Sequence, residues 1–160
     1  MFGITHPDKS NELLKKFLNI QSDNFESLGL DFQILDMNLH DMGPPAYRKY
    51  DIEAWFPVRK DFGEISSCTN CTDYQSRRLN IKIKDGDKIY HAHTVNGTAC
   101  AVPRMIMAII ETHQQQRGNI TIPEPLRKYF DGAQAITRDK RIPVMSYQYK
   151  PRKQLEDEVM

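Results

Sequence analysis

From Arg48 to Phe56 the side chains alternate strictly, with Tyr50, Ile52, Ala54 and Phe56 on one side and Asp51, Glu53 and Trp55 on the other. A period of two belongs to a half-buried strand, and Pro57 closes it. A strand with one apolar face is not stable alone. It needs strands beside it and a layer over it, so the rest of the chain must supply both.

The surrounding segments read as those parts. Ser10 can cap a helix whose apolar positions Leu14, Phe17, Leu18, Phe25 and Leu28 follow helical spacing, with Gly29 as its stop. Residues 31–38 read as a strand and Gly43-Pro44-Pro45 as a loop. Residues 64–70 read as a further strand, and Thr72-Asp73 as the cap of a short helix through Leu79. Residues 81–84 lead through an Asp85-Gly86 turn into a strand over 88–96, which places Ile89, His91, His93 and Val95 on one face and Tyr90, Ala92, Thr94 and Asn96 on the other. Pro103 suits the first turn of a helix whose buried face is Met105, Ile106, Ile109, Ile110 and His113, ending near Gly118. A single turn follows Pro123 and Pro125 as far as Tyr129. The order predicts an α+β fold, a mostly antiparallel sheet flanked by helices, over residues 1–130, with 131–160 as a mobile tail.

Composition narrows the function classes. With 39% hydrophobic and 27% charged residues among 160, the chain can bury a core, and its net charge of +1 gives no field that announces a nucleic acid. Its longest apolar stretch falls far short of the ~20 residues that cross a bilayer, so no membrane partner is expected. Three cysteines are too few and too odd for a disulfide framework. Cys68 and Cys71 have C-x-x-C spacing, but His91 and His93 do not form the second knuckle that a zinc site requires. The N-terminus has neither a secretory nor an organelle-targeting pattern, which leaves a cytoplasmic product or an address upstream.

Two segments can carry chemistry. Glu64-Ile65-Ser66-Ser67 puts a carboxylate and two hydroxyls in one strand, a hard-oxygen set suited to Mg2+ and a triphosphate or simply to water. Strict alternation would separate Glu64 from Ser67, so a ligand shared by both demands a twist or bulge between them. In the second segment, Asn96 and Thr98 are two apart and share a side of a strand, with Gly97 permitting close approach. Arg104 follows in a first helical turn, where an anion is favoured; it could equally pair with a nearby carboxylate.

Three runs carry a resemblance: AYRKYDIEAWFP over 46–57, GEISSCTNCTDYQSRR over 63–78 and NGTACAVPR over 96–104. Together they resemble seryl-tRNA synthetases of class II, animal mitochondrial forms most of all, and the similarity extends to about Phe130. The resemblance implies that 64–67 is an ATP-binding segment in which Glu64 and Ser67 hold Mg2+ and phosphate oxygens, with Ile65 and Ser66 between them. It further implies that Thr98 contacts serine with Asn96 in support, and that Arg104 grips the triphosphate as a catalytic residue. The implied reaction joins serine to its tRNA through seryl-adenylate made from serine and ATP, in a homodimer in the mitochondrial matrix.

The same resemblance identifies family parts that this chain does not include, among them a tRNA-binding arm and the first and second class II signatures. The chain is therefore expected to be part of a catalytic domain that forms no adenylate alone. The competing expectation is a non-catalytic synthetase-like binding or assembly module.

Overall fold

The structure, a computed structural model, describes residues 1–137. Its elements run β1 Phe2–Thr5, α1 Ser10–Ser27, β2 Phe32–Asp36, β3 Arg48–Phe56, β4 Asp61–Asn70 and α2 Tyr74–Leu79. The chain continues with β5 Lys82–Asp85, β6 Lys88–His91, β7 His93–Gly97, α3 Val102–His113, β8 Ile120–Thr121, α4 Glu124–Arg127 and β9 Ala135–Ile136. Five strands form one sheet in the order β1-β7-β4-β3-β2, every pairing antiparallel.

Helices α1 and α3 cover one face of this sheet. The stripe Leu14, Phe17 and Phe25 of α1 and Met105 and Ala108 of α3 close over Ile52, Ala54, Phe56, Ile65, Cys68 and Val95. Each large side chain buried there contributes about 1.5–3 kcal/mol relative to exposure. The alternation from Arg48 to Phe56 is thus realised: its apolar side meets the helices, and Asp51, Glu53 and Trp55 face away. Gly29 ends α1 as expected, at φ +66°, with its amide bonded to Glu26 and that of Leu30 to Phe25.

Several expectations are corrected. The strand expected over 88–96 is two, because 88–91 pair with β5 in a separate hairpin while 93–97 join the main sheet; the break falls at fully buried Ala92. Ser10 is the first residue of α1, not its cap: a 3-10 turn over Pro7–Lys9 precedes it, and the Ser10 hydroxyl donates to Pro7 O. Asp73 caps no amide with its side chain and instead pairs with Arg77 at 2.6 Å. Helix α3 ends at His113, and Ile106 and Ile110 are exposed, since Met105 and Ala108 take the central contact with the sheet. Part of the segment expected as a mobile tail is bonded, with Ala135–Ile136 pairing Ile120–Thr121; residues 138–160 lie outside the described residues.

Candidate functional site

The register of β3 against β4 decides which side chains can meet. Glu53 pairs with Glu64 and Ile52 with Ser66, so Ile65 has no partner and β4 bulges there. Residues directly opposite each other share a face. Ile65 and Ser66 therefore both turn to the helices, with 0% and 1% exposure, while Glu64 and Ser67 both turn to the other face. This is the bulge that a ligand common to Glu64 and Ser67 requires.

Around these two residues the second face is polar, with Leu35 and the Trp55–Phe62 ring pair at its margin. Beside Glu64 and Ser67 it carries Asp51 opposite Ser67, Glu53 opposite Glu64, and Thr69 opposite both Lys49 and Asn96. Each of its carboxylates has a partner, two charged and one neutral: Lys49 lies 2.7 Å from Asp51, Arg104 lies 2.9 Å from Glu64, and the Gln33 amide donates to Glu53 at 2.9 Å. Two carboxylates directly across a strand pair repel. Gln33 on one and Arg104 on the other relieve that repulsion here.

Backbone bonds lead the second segment along β4 to the same place. Past the end of β7, the Thr98 amide donates to Ser67 O at 2.9 Å and the Ala101 amide to Ile65 O at 2.8 Å. Helix α3 consequently begins beside Glu64, with Pro103 and Arg104 in its first turn. Because the strand stops at Gly97, alternation no longer governs Thr98; its exposed side chain is placed by the amide bond to Ser67 instead. Asn96 stays on the polar face, its Nδ2 3.5 Å from the sulfur of Cys71. Helix α2 covers the far end of this face, where Thr94 donates to Gln75 at 2.7 Å.

Glu64, Ser67, Asn96 and Arg104 thus share one side of the sheet, and Thr98 borders it. Ile65 and Ser66 do not join them, and can offer a ligand there only backbone atoms. The face they share is an open shelf: none of these residues lines the 330 Å3 depression between α1 and Pro125–Tyr129 or the 190 Å3 apolar one beside Ile106 and Phe130. Cys68 sits in the core against Leu14 and Val95, apart from Cys71 at the strand end. Burial pushes its thiol up to about 11, with the Asp51 charge adding to the effect.

Reading the sequence did not single out Lys49, Asp51 and Glu53 as neighbours of the site, although their alternation with the apolar residues was the available signal. It also missed Gln21, a polar residue set in the apolar stripe of α1.

Comparison with known proteins bears on this arrangement. Residues 1–113 match the family described as the tRNA synthetase class II core domain (G, H, P, S and T). The mitochondrial serine–tRNA ligase of Bos taurus is 47% identical over 147 residues, covering 90% of this chain and 28% of that protein. The mitochondrial serine–tRNA ligase of Saccharomyces cerevisiae is 45% identical over 85% of this chain and 31% of its own length. The serine–tRNA ligase of Dictyoglomus thermophilum is 44% identical over 81% of this chain and 31% of its own length. Among solved structures, seryl-tRNA synthetase from Pyrococcus horikoshii complexed with ATP superposes with a TM-score of 0.83 at 38% identity, covering 87% of this chain and 31% of that one. The cytoplasmic enzyme from Naegleria fowleri in complex with AMP gives 0.80 at 32%, covering 87% of this chain and 33% of that one. The chain spans under a third of the length of these curated relatives.

Proposed function

Given that this chain belongs to the tRNA synthetase class II core family, we propose that it supplies the later part of the active site of a serine–tRNA ligase. The observation that carries the reading is the meeting of Glu64, Ser67, Asn96 and Arg104 on one open sheet face, with Thr98 bonded at its edge.

In this reading ATP lies along the shelf with its phosphates toward Glu64, Ser67 and Arg104, and serine lies toward Asn96 and Thr98. The serine carboxylate attacks the α-phosphate to give seryl-adenylate and pyrophosphate, and a ribose hydroxyl of the terminal adenosine of tRNA then takes the seryl group, losing its proton and releasing AMP. Arg104 leaves Glu64 to take up negative charge on the phosphates, a role that suits its forked donors. Glu64 and Ser67 are hard oxygen donors on one face, and so fit Mg2+, which when bound would neutralise phosphate charge. Holding two reactants at a fixed angle is worth up to ~7–11 kcal/mol of barrier, which a paired set of sheet residues is suited to provide. The partners in this reading are serine, ATP, tRNA and a second copy of the whole protein. The mitochondrial relatives favour the matrix as its location, and a tagged whole protein seen in the cytosol would refute that part.

The test is a transplant. Residues 1–113 replace the matching segment of the full-length bovine relative, and serine-dependent exchange of pyrophosphate into ATP is measured. Exchange within ~10-fold of the parent, about 1.4 kcal/mol of barrier, is the expected result. A folded, soluble chimera without exchange overturns the reading in favour of a binding or assembly module.

A further inference from the structure

The apolar stripe of α1 is interrupted by one fully buried amide. Gln21 stands between Phe17 and Phe25 at helical spacing and has 0% exposure. Burying a primary amide away from water costs free energy that hydrogen bonds must offset. Here its Nε2 lies 2.7 Å from Ser66 Oγ, 3.0 Å from Ser67 O and 2.8 Å from Thr98 O. The Ser66 hydroxyl itself donates to Thr98 O. Turning the amide over would set its oxygen against two carbonyl oxygens, so the chemistry fixes its orientation. Its Oε1 is then buried with no partner among the described residues, which indicates that the donor side of the amide holds the side chain in place.

We infer that Gln21 is a positioning residue: from the helix side of the sheet it sets the distance between the strand that presents Glu64 and Ser67 and the turn that presents Thr98. It reaches no atom on the open shelf. It acts through two backbones, drawing the Ser67 and Thr98 carbonyls to one nitrogen beside the amide bond that Thr98 gives to Ser67. The inference rests on the ligase reading, in which the β4 side holds nucleotide and the Thr98 side holds serine. The seam between them then fixes how the two reactants approach, and an error of ~1 Å in such placement can cost ~100-fold in rate.

Gln21→Met keeps the length of the side chain and removes both donors. Two measurements test it. In the 160-residue chain, exchange of the Thr98 amide proton should quicken by ~10-fold or more, while that of Trp55, bonded to Asp31 at the other side of the sheet, stays unchanged. In the chimera with the bovine relative, the burst of seryl-adenylate should keep its amplitude, which counts intact sites, and slow by ~10- to 100-fold. A purely structural role would lower the amplitude instead. Unchanged Thr98 exchange, a full-speed burst, or a burst reduced only in amplitude overturns the inference. A wild-type chimera with no burst sinks the ligase reading, and the exchange measurement still decides whether Gln21 holds the seam. Should Gln21→Met fail to fold, Ser66→Ala removes the hydroxyl of the same network from the sheet side and is judged by the same two readouts.

Discussion

The guanidinium of Arg104 lies 2.9 Å from the carboxylate of Glu64, although 40 residues separate them in the chain. Both are partly exposed, at 46% and 35%, and such pairs contribute about 0–1 kcal/mol. Arg104→Ala should therefore shift the urea-unfolding free energy of the chain by less than ~1 kcal/mol. In the chimera it should lower pyrophosphate exchange ~100-fold or more, and Arg104→Lys should recover only part of that, because it lacks the fork. Retained exchange in the alanine variant would remove Arg104 from the site.

Ile65 and Ser67 are two residues apart, and the bulge gives them opposite surroundings. Ile65→Ala opens a cavity among Phe25, Ile52 and Ala108 and should cost ~2–5 kcal/mol, whereas Ser67→Ala should stay within ~0.5 kcal/mol. Chemical denaturation of both variants checks this. Equal costs would mean that the bulge does not divide the two faces.

Thiol labelling tests the placement of the cysteines. Cys68 and Cys71 are buried with their thiols pushed up by desolvation, Cys68 to about 11, while Cys100 is half-buried. Iodoacetamide at pH ~8 should modify Cys100 first, since the thiolate is the reacting form and the other two remain protonated. Peptide mass mapping after brief exposure would expose an error by finding Cys68 or Cys71 labelled ahead of it.

Stability should fall on mild acidification. Burial holds the His93 imidazole below its ordinary value, outweighing the pull of Asp73 and Asp8 in the other direction. The unfolded chain then binds the proton more readily than the folded one. His93 consequently adds stability that is fully present above pH ~6.5 and lost as the pH drops below that, toward its folded value. The contribution of Asp73, held down by Arg77, is constant above pH ~4 and is lost only below it, outside this window. Thermal unfolding of His93→Gln should show a flatter slope between pH ~6.5 and ~5 than the parent chain. Identical slopes would rule His93 out as the source.

Much of this fold is legible in the sequence wherever one element has a single period and one covered face. Arg48–Phe56 shows its apolar side directly, and α1 shows its stripe and its glycine stop. Legibility fails where two partners compete for one stretch. Nothing in the residues around Ala92 marks a break, because the break comes from β5 claiming 88–91. β1 is four residues with Phe2 and Ile4 exposed at a sheet edge, and too short to display a period. In the site, the need for a bulge between Glu64 and Ser67 follows from counting residues, but its position at Ile65 depends on the register with β3. Asn96 and Arg104 stand out in the sequence as polar groups flanking Gly97 and opening a helix, whereas Gln21 reads as a flaw in a helix stripe until its three acceptors are seen.

Strand β4 is in effect two alternating stretches joined out of phase by one position. Loss of Ile65 alone would bring the halves back into phase and leave Glu64 and Ser67 together on the shelf, two residues apart in an unbroken ladder, but it would take a fully buried side chain out of the core. At the Gly86 tip of the β5–β6 hairpin, where a Cβ would meet nothing within 4 Å, the same change in length would pass with little consequence for the shelf.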